Sequence, residues 1–277
     1  MIPVDGHVHV YDCFEVATFL SAAATHFRHA MGGAVEKEEP VAGVLLLTEG
    51  KREKFFSRTT AALERAGGGA SLCSGWRGNR TGQDGVIEAV REGDPADRLF
   101  LVAGRQVVTR ERIEVLGLFC PAQIPEGMEL RETIDAVRQA GGVPVLPWGV
   151  GKWRGRRGRL VREAVENRGG ELLCLGDNGG RPWFQPTPAL LRFGREQGVP
   201  VLPGSDPLPL PGEESRVGRF GFLLRADGSG PAAPERVREA LRSGRPEVIP
   251  YGRLQTALRF FLNQARLRMG GTGMKGR

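Results

Sequence analysis

The chain has 277 residues, 40% hydrophobic and 26% charged, which suits a globular protein with a sizeable core and excludes wholesale disorder. Its formal net charge is +7, and only five of its 39 basic residues are lysines, so the excess is almost wholly arginine. Such a balance favours anionic ligands without by itself selecting nucleic acid. No apolar run reaches the length of a membrane span, and the N-terminus lacks the basic-then-apolar order of a secretory signal, so a cytoplasmic location with no membrane partner is expected.

Short runs rich in Val and Leu, apolar on both faces, recur at 2–9, 41–48, 99–102, 113–119, 143–148, 172–175 and 199–204. They are too short for helices and read as parallel strands covered on both sides. Helical stripes fall between them. Val16, Phe19, Leu20, Ala23 and Phe27 follow the first run, and Leu130, Ile134 and Val137 precede a stop at Gly141. In "TPALLRFGREQG" Thr187 can cap, Pro188 suits the first helical position, and Gly198 lies past the end. Pro234 opens another helix in "PERVREALRSG", and Leu254, Leu258, Phe261 and Ala265 make a last stripe. The hexamer "GVPVLP" at 142–147 returns at 198–203, as equivalent strands of a βα array would. Seven such units with right-handed crossovers close into a barrel or spread as an open sheet, with chemistry at the carboxyl ends of the strands.

The segment 67–85, "GGGASLCSGWRGNRTGQDG", lacks periodicity and is expected as a loop excursion, a lid or plain surface. One domain over 1–269 and a flexible tail over 270–277 are expected. Cys13, Cys73, Cys120 and Cys174 form no C-x-x-C pair and read as reduced, mostly buried thiols.

"VDGHVHVYD" places His7 and His9 two apart at the end of the first strand, where both imidazoles project to one side and can present to one ion. They are equally a hydrogen-bonded pair at a sheet mouth. Asp5, one step deeper, can orient a histidine from behind. Asp206, just past the last run in "VLPGSDPLPL", comes near them if first and last strands are neighbours. It would then bind metal or take a proton, or else simply start an Asx turn. His26 and His29 read as surface residues of the first helix.

"DGHVHVYD", "GRQVVTRERIEVLGLF" and "GSDPL", in this order, resemble the PHP domain of polymerase and histidinol-phosphatase type over about residues 2–225. The resemblance implies an α/β fold, a distorted seven-stranded (β/α)7 TIM-like barrel, and a metal-dependent hydrolase, most simply a phosphoesterase. It implies divalent zinc, manganese or iron and a small phosphorylated substrate. The match departs from the family in its later motifs. Gln106 stands where the family has a ligand glutamate, and Glu114 where it has a histidine. Pro147-Trp148-Gly149 replaces an Ala-His-Pro-like stretch, and Ser205-Asp206-Pro207-Leu208 keeps the aspartate without the closing histidine. His7, His9, Asp206 and Glu114 could hold one ion; further ions would need Glu49 and Asp177, both at predicted strand ends.

The stretch 147–163, "PWGVGKWRGRRGRLVRE", lacks the glycine and Ser/Thr of a phosphate loop. It offers Lys152, Arg154, Arg156 and Arg157 to phosphate oxygens, Lys152 also to charge developing in a reaction, with Trp148 or Trp153 walling the pocket. Arg181 in "LGDNGGRPWF" is a second candidate anion contact. The alternative expectation is a catalytically degenerate barrel that binds a phosphorylated metabolite or nucleic acid through the Lys152–Arg157 loop.

Overall fold

A computed structural model describes residues 1–32, 41–225 and 232–271. β1 (Ile2–Val8) leads through α1 (Val16–Ala30) to β2 (Val41–Leu47) and α2 (Phe55–Arg65). A meander follows, β3 (Gly69–Cys73), β4 (Trp76–Arg80), β5 (Val86–Arg91) and β6 (Asp94–Val102), then β7 (Gly104–Val108) and β8 (Glu114–Leu118). The chain continues through α3 (Leu130–Gln139), β9 (Val143–Pro147), α4 (Arg156–Glu166), β10 (Cys174–Asn178), α5 (Ala189–Glu196) and β11 (Val201–Gly204). A 3-10 turn (Glu213–Arg216), β12 (Phe220–Leu224), α6 (Ala233–Arg242), β13 (Val248–Gly252) and α7 (Ala257–Gly271) complete it. Of the expected tail, 270 and 271 close α7, and 272–277 lie outside the described residues.

The fold is α/β, but its strands form two sheets and no closed barrel among the described residues, which corrects the expected arrangement. One sheet has the order β13-β12-β1-β2-β6-β5-β4-β3, the other β11-β10-β9-β8-β7. The strands are not uniformly parallel. β12 runs antiparallel to β1, and β8 antiparallel to both β7 and β9. For β8 the reason is the short Thr109–Ile113 connection after β7, where the Thr109 amide bonds the Ile113 carbonyl at 2.9 Å, a hairpin rather than a helical crossover.

The two edge strands of the five-stranded sheet, β7 and β11, approach the ends of the interior strands β2 and β1 of the other sheet. Glu49, just past β2, donates its amide to Gly104 and accepts from the Gln106 amide. Asp206, just past β11, donates its amide to the His7 carbonyl at 2.9 Å. Glycines make both approaches possible. A Cβ on Gly104 would stand 2.3 Å from the Leu47 oxygen, and one on Gly204 would stand 2.4 Å from the His7 nitrogen.

Side-chain alternation along β2 divides the core. Val44 and Leu46 point between the sheets, where they join Val4, Phe100, Leu116, Val145, Leu202 and Phe222. Leu45 and Leu47 point outward to Phe19, Leu20 and Phe27 of α1. A third cluster sets Ile134, Val161 and Leu191 of α3, α4 and α5 on Val115, Leu146 and Leu175. Each fully buried Leu or Phe contributes roughly 1.5–3 kcal/mol, so these interfaces hold the strand ends in place.

The 67–85 segment is not an irregular excursion. It forms β3 and β4, paired antiparallel and continued by β5. β4 alternates buried Trp76 and Gly78 with exposed Arg77, because one face of this extension meets solvent. Thr187 does not cap α5, which starts after Pro188 without a side-chain cap. Cys120 and Cys174 are buried, Cys13 is exposed and Cys73 is intermediate, so fewer thiols are buried than expected.

Candidate metal centre

β1 ends and β11 ends side by side, and this brings together residues 199 positions apart. His7 Nε2 lies 3.0 Å from His9 Nε2, and Asp206 Oδ1 lies 3.6 and 3.8 Å from those two nitrogens. Among the described residues these three form the one group of His, Cys, Asp or Glu side chains that could share an ion. Donor atoms at about 2.1 Å from a common ion stand roughly 3.0–3.4 Å apart, so the donor set fits a divalent cation with small adjustment. Asp206 adopts a left-handed backbone, φ 42°, which aspartate tolerates better than most side chains. That conformation turns its carboxylate back toward β1.

Each donor has a supporting contact. His9 Nδ1 meets Glu53 Oε2 at 2.8 Å; the carboxylate accepts only, so Nδ1 carries a proton, and in the neutral ring Nε2 is left with its lone pair toward the cluster. Tyr11 stacks on His9 at 5.4 Å. Asn178 Nδ2 donates to Asp206 Oδ2. Asp5 does not touch an imidazole, contrary to expectation. Its carboxylate accepts from the amides of His7, Ser205 and Gly218 at 3.3, 2.8 and 2.8 Å, tying β1 to the segments after β11. Burial nevertheless pushes its pKa up to about 6, against the lowering effect of these hydrogen bonds.

The electrostatics treat the three donors differently. Burial pulls His7 below the usual imidazole range, favouring the neutral ring that a metal requires. In His9 the same burial is outweighed by the bond to Glu53 and by Asp206, and its pKa rises. Burial would raise Asp206, but His7, His9, Lys152 and Asn178 together hold it below the ordinary carboxylate range.

Glu114 reaches this end of the molecule because β8 runs antiparallel, placing its first residue beside the carboxyl ends of the other strands. Its Oε1 accepts from Lys152 Nζ at 2.5 Å, so the two form an ion pair at the rim. Glu49 and Asp177, considered above for further ions, face arginines instead. Glu49 accepts from the Phe56 amide at 2.6 Å and meets Arg105 at 3.4 Å. Asp177 takes a bidentate pair from Arg181 at 3.2 and 2.9 Å, both side chains being buried. Arg181 also donates to the Gln185 carbonyl, so its guanidinium organises its own loop.

The 147–163 stretch divides likewise. Trp148 is buried with Leu146 and Val115, and Trp153 packs on the same cluster. Arg157 donates to the carbonyls of Gly151 and Arg112, while Arg154 and Arg156 are exposed. His26 bonds the Val217 carbonyl, and His29 is exposed. Sequence reasoning missed Glu53 and Tyr11 and gave Asn178 no role. A carboxylate four residues past Glu49 in the loop after the second strand was the available signal for Glu53. A cleft of about 640 Å³ opens beside Glu53, walled by Lys51, Lys54, Arg105, Gln106 and Ile124 among others.

No family model and no curated protein matches the sequence. Solved structures do match its shape. The lesion-specific endonuclease PfuEndoQ of Pyrococcus furiosus aligns with a TM-score of 0.52 at 12% identity, over 91% of this chain and 58% of that one. The chain thus spans under two thirds of the endonuclease. PsfC of Pseudomonas syringae PB-5123 aligns with a TM-score of 0.51 at 14% identity, over 96% of this chain and 97% of that one. At such identities the likeness concerns the fold alone, and it is consistent with the α/β architecture described above.

Proposed function

We propose that the chain is a metal-dependent hydrolase of PHP type, most simply a phosphoesterase, with one divalent ion (zinc, manganese or iron) held by His7, His9 and Asp206. The observation that carries this reading is the convergence of two imidazole nitrogens and a carboxylate oxygen within 3.8 Å at the meeting of β1 and β11. A divalent ion there supplies Lewis acidity and an acidified water at neutral pH. Asp206, kept anionic by its neighbours, doubles as the nearest proton acceptor through the oxygen shared with neither histidine, once Asn178 yields. Lys152 meets negative charge at the rim and releases Glu114 as it does so. Arg154 and Arg156 extend that positive edge, and the cleft beside Glu53, with Lys51, Lys54 and Arg105, receives an anionic substrate.

The pairing of Glu49 with Arg105 and of Asp177 with Arg181 favours one ion over two or three. By engaging two candidate ligands, the same pairs favour as second reading a non-catalytic relative that binds a phosphorylated metabolite or nucleic acid beside Lys152. Metal analysis of protein purified without chelator, alongside His7→Ala, tests the first reading. Bound ion in the parent and its loss in the variant is the expected result; equal content in both overturns it. Turnover of generic phosphate esters with added manganese then separates enzyme from binding module.

A further inference from the structure

The last helix turns Arg259 and Asn263 toward the body of the molecule. Arg259 donates to Glu213 Oε1 at 3.2 and 3.0 Å, and buried Asn263 donates to the same oxygen at 3.0 Å. Glu213 in turn holds Arg216, whose other end donates to the Gly179 carbonyl. α7 is therefore anchored to the body by charge and hydrogen bonds, and its apolar stripe faces solvent. Leu258 is 72% exposed, Phe261 61% and Leu262 50%, and Ala265 continues the row. Phe260 and Leu267, both half-buried, share the inward side with Asn263, so the helix is apolar on both sides and leaves one of them uncovered.

The stripe does not stand alone. Trp183 donates its amide to the Gln255 carbonyl at 2.9 Å, three residues before Leu258, and Pro182 bridges Gln255. Trp183 is 68% exposed with Phe184 set edge-on beside it. Five large apolar side chains thus lie on one side of the molecule, more than scattered surface hydrophobics would explain.

Charge identifies the occupant. From 248 to 277 the sequence has six basic residues and no acidic one. At about 100° per residue, Arg266 and Arg268 fall on opposite flanks of the Leu258–Phe261–Leu262–Ala265 stripe, and both are exposed. A second copy packed two-fold on this helix would set arginines against arginines with no carboxylate on α7 to answer them. A polynucleotide would answer the arginines but has little use for exposed leucines. Both features are met by an apolar layer bordered by anions. We infer that α7, with Trp183 and Phe184, is a docking face for an anionic phospholipid surface, leucines and aromatics entering the acyl boundary while Arg266 and Arg268 reach the headgroup phosphates. No described helix is long and apolar enough to cross a bilayer, and the docking inferred is at the membrane surface. This inference is independent of the hydrolase reading.

Co-sedimentation of the full chain with vesicles tests it. The parent should pellet with equimolar phosphatidylcholine and phosphatidylglycerol, less so at high salt, and stay in solution with phosphatidylcholine alone. Leu258→Glu with Phe261→Glu, both at exposed positions, should abolish pelleting with an unchanged unfolding midpoint. Arg266→Gln and Arg268→Gln should each lower the vesicle partition coefficient about fivefold. Failure of the parent to pellet overturns the inference, as does equal pelleting of the glutamate variant. A dimer in solution that Phe261→Glu dissolves, without vesicle binding, assigns the face to a second copy instead. Binding of single-stranded DNA without vesicle binding assigns it to nucleic acid.

Discussion

Glu53 holds the Nδ1 proton of His9: its Oε2 lies 2.8 Å from Nδ1, so in the neutral ring Nε2 turns a lone pair to His7 and Asp206. A carboxylate behind a ligating imidazole sets ring orientation and basicity, and losing it typically costs 10–100-fold in metal affinity. Glu53→Ala should weaken divalent-ion binding within roughly that range, measured by competition against a chelator. Glu53→Gln keeps an acceptor for Nδ1 without the charge and should lose less. Equal affinity in all three proteins would remove Glu53 from the site.

Gly204 controls whether the two halves of the site meet. Its missing side chain lets β11 approach His7, and an added Cβ would lie 2.4 Å from the His7 nitrogen and 2.5 Å from its Cβ. Those are backbone-anchored atoms that cannot swing aside. Gly204→Ala should cost about 1–3 kcal/mol of stability, as overpacking does. It should also weaken ion binding at conditions where the variant remains folded, because Asp206 is displaced with its strand. Urea unfolding and metal titration on the same sample separate the two effects, and unchanged metal affinity would show that the approach is not needed.

The parts of this arrangement differ in how far the sequence reveals them. All seven apolar runs became strands, because burial on both faces leaves a continuous Val/Leu signature. β3, β4 and β7 were not visible: they are polar or glycine-rich, and their pairing with a neighbour rather than their own composition makes them strands. The antiparallel turn at β8 was equally hidden, since strand direction is set by a connection and not by the strand. His7, His9 and Asp206 were legible because they sit at strand ends, where side chains project into a common mouth. The engagement of Glu49 by Arg105 was not legible, since residues 56 apart carry no local sign of contact. Asp177 and Arg181 do stand four apart, and that spacing was the clue to their pairing.

Lys152 and Glu114 form an exchangeable pair at the rim. The Lys152 side chain is 44% exposed, so it can swing from Glu114 to a substrate anion at the rim. If the hydrolase reading holds, Lys152→Met should lower kcat/KM for a phosphate ester by about 10-fold or more, in line with loss of a charge-assisted contact of roughly 1.5–3 kcal/mol. Glu114→Gln, which frees the lysine, should leave KM for the anion equal or lower. A rise in KM for Glu114→Gln would instead make the carboxylate part of substrate or ion binding. Steady-state kinetics on the two variants decides between these roles.

Glu213 ties α7 to the body and should give the fold an acid-sensitive joint. Burial would raise its pKa, but Arg216, Asn263 and Arg259 outweigh that and hold it below the ordinary glutamate range. A carboxyl depressed in the folded state adds stability that is complete above the unfolded pKa of about 4.3 and is lost as pH falls through the lower folded value. Removing one partner of a buried pair leaves the other charge uncompensated and costs about 3–5 kcal/mol. Glu213→Gln should therefore be less stable than the parent near neutrality by an amount of that order, and the gap should close progressively below about pH 4 as the parent's own carboxyl takes up its proton. Urea midpoints for both proteins across this range read the effect directly. A gap that stays constant with pH would mean that hydrogen-bond geometry, rather than the charge of Glu213, holds the helix.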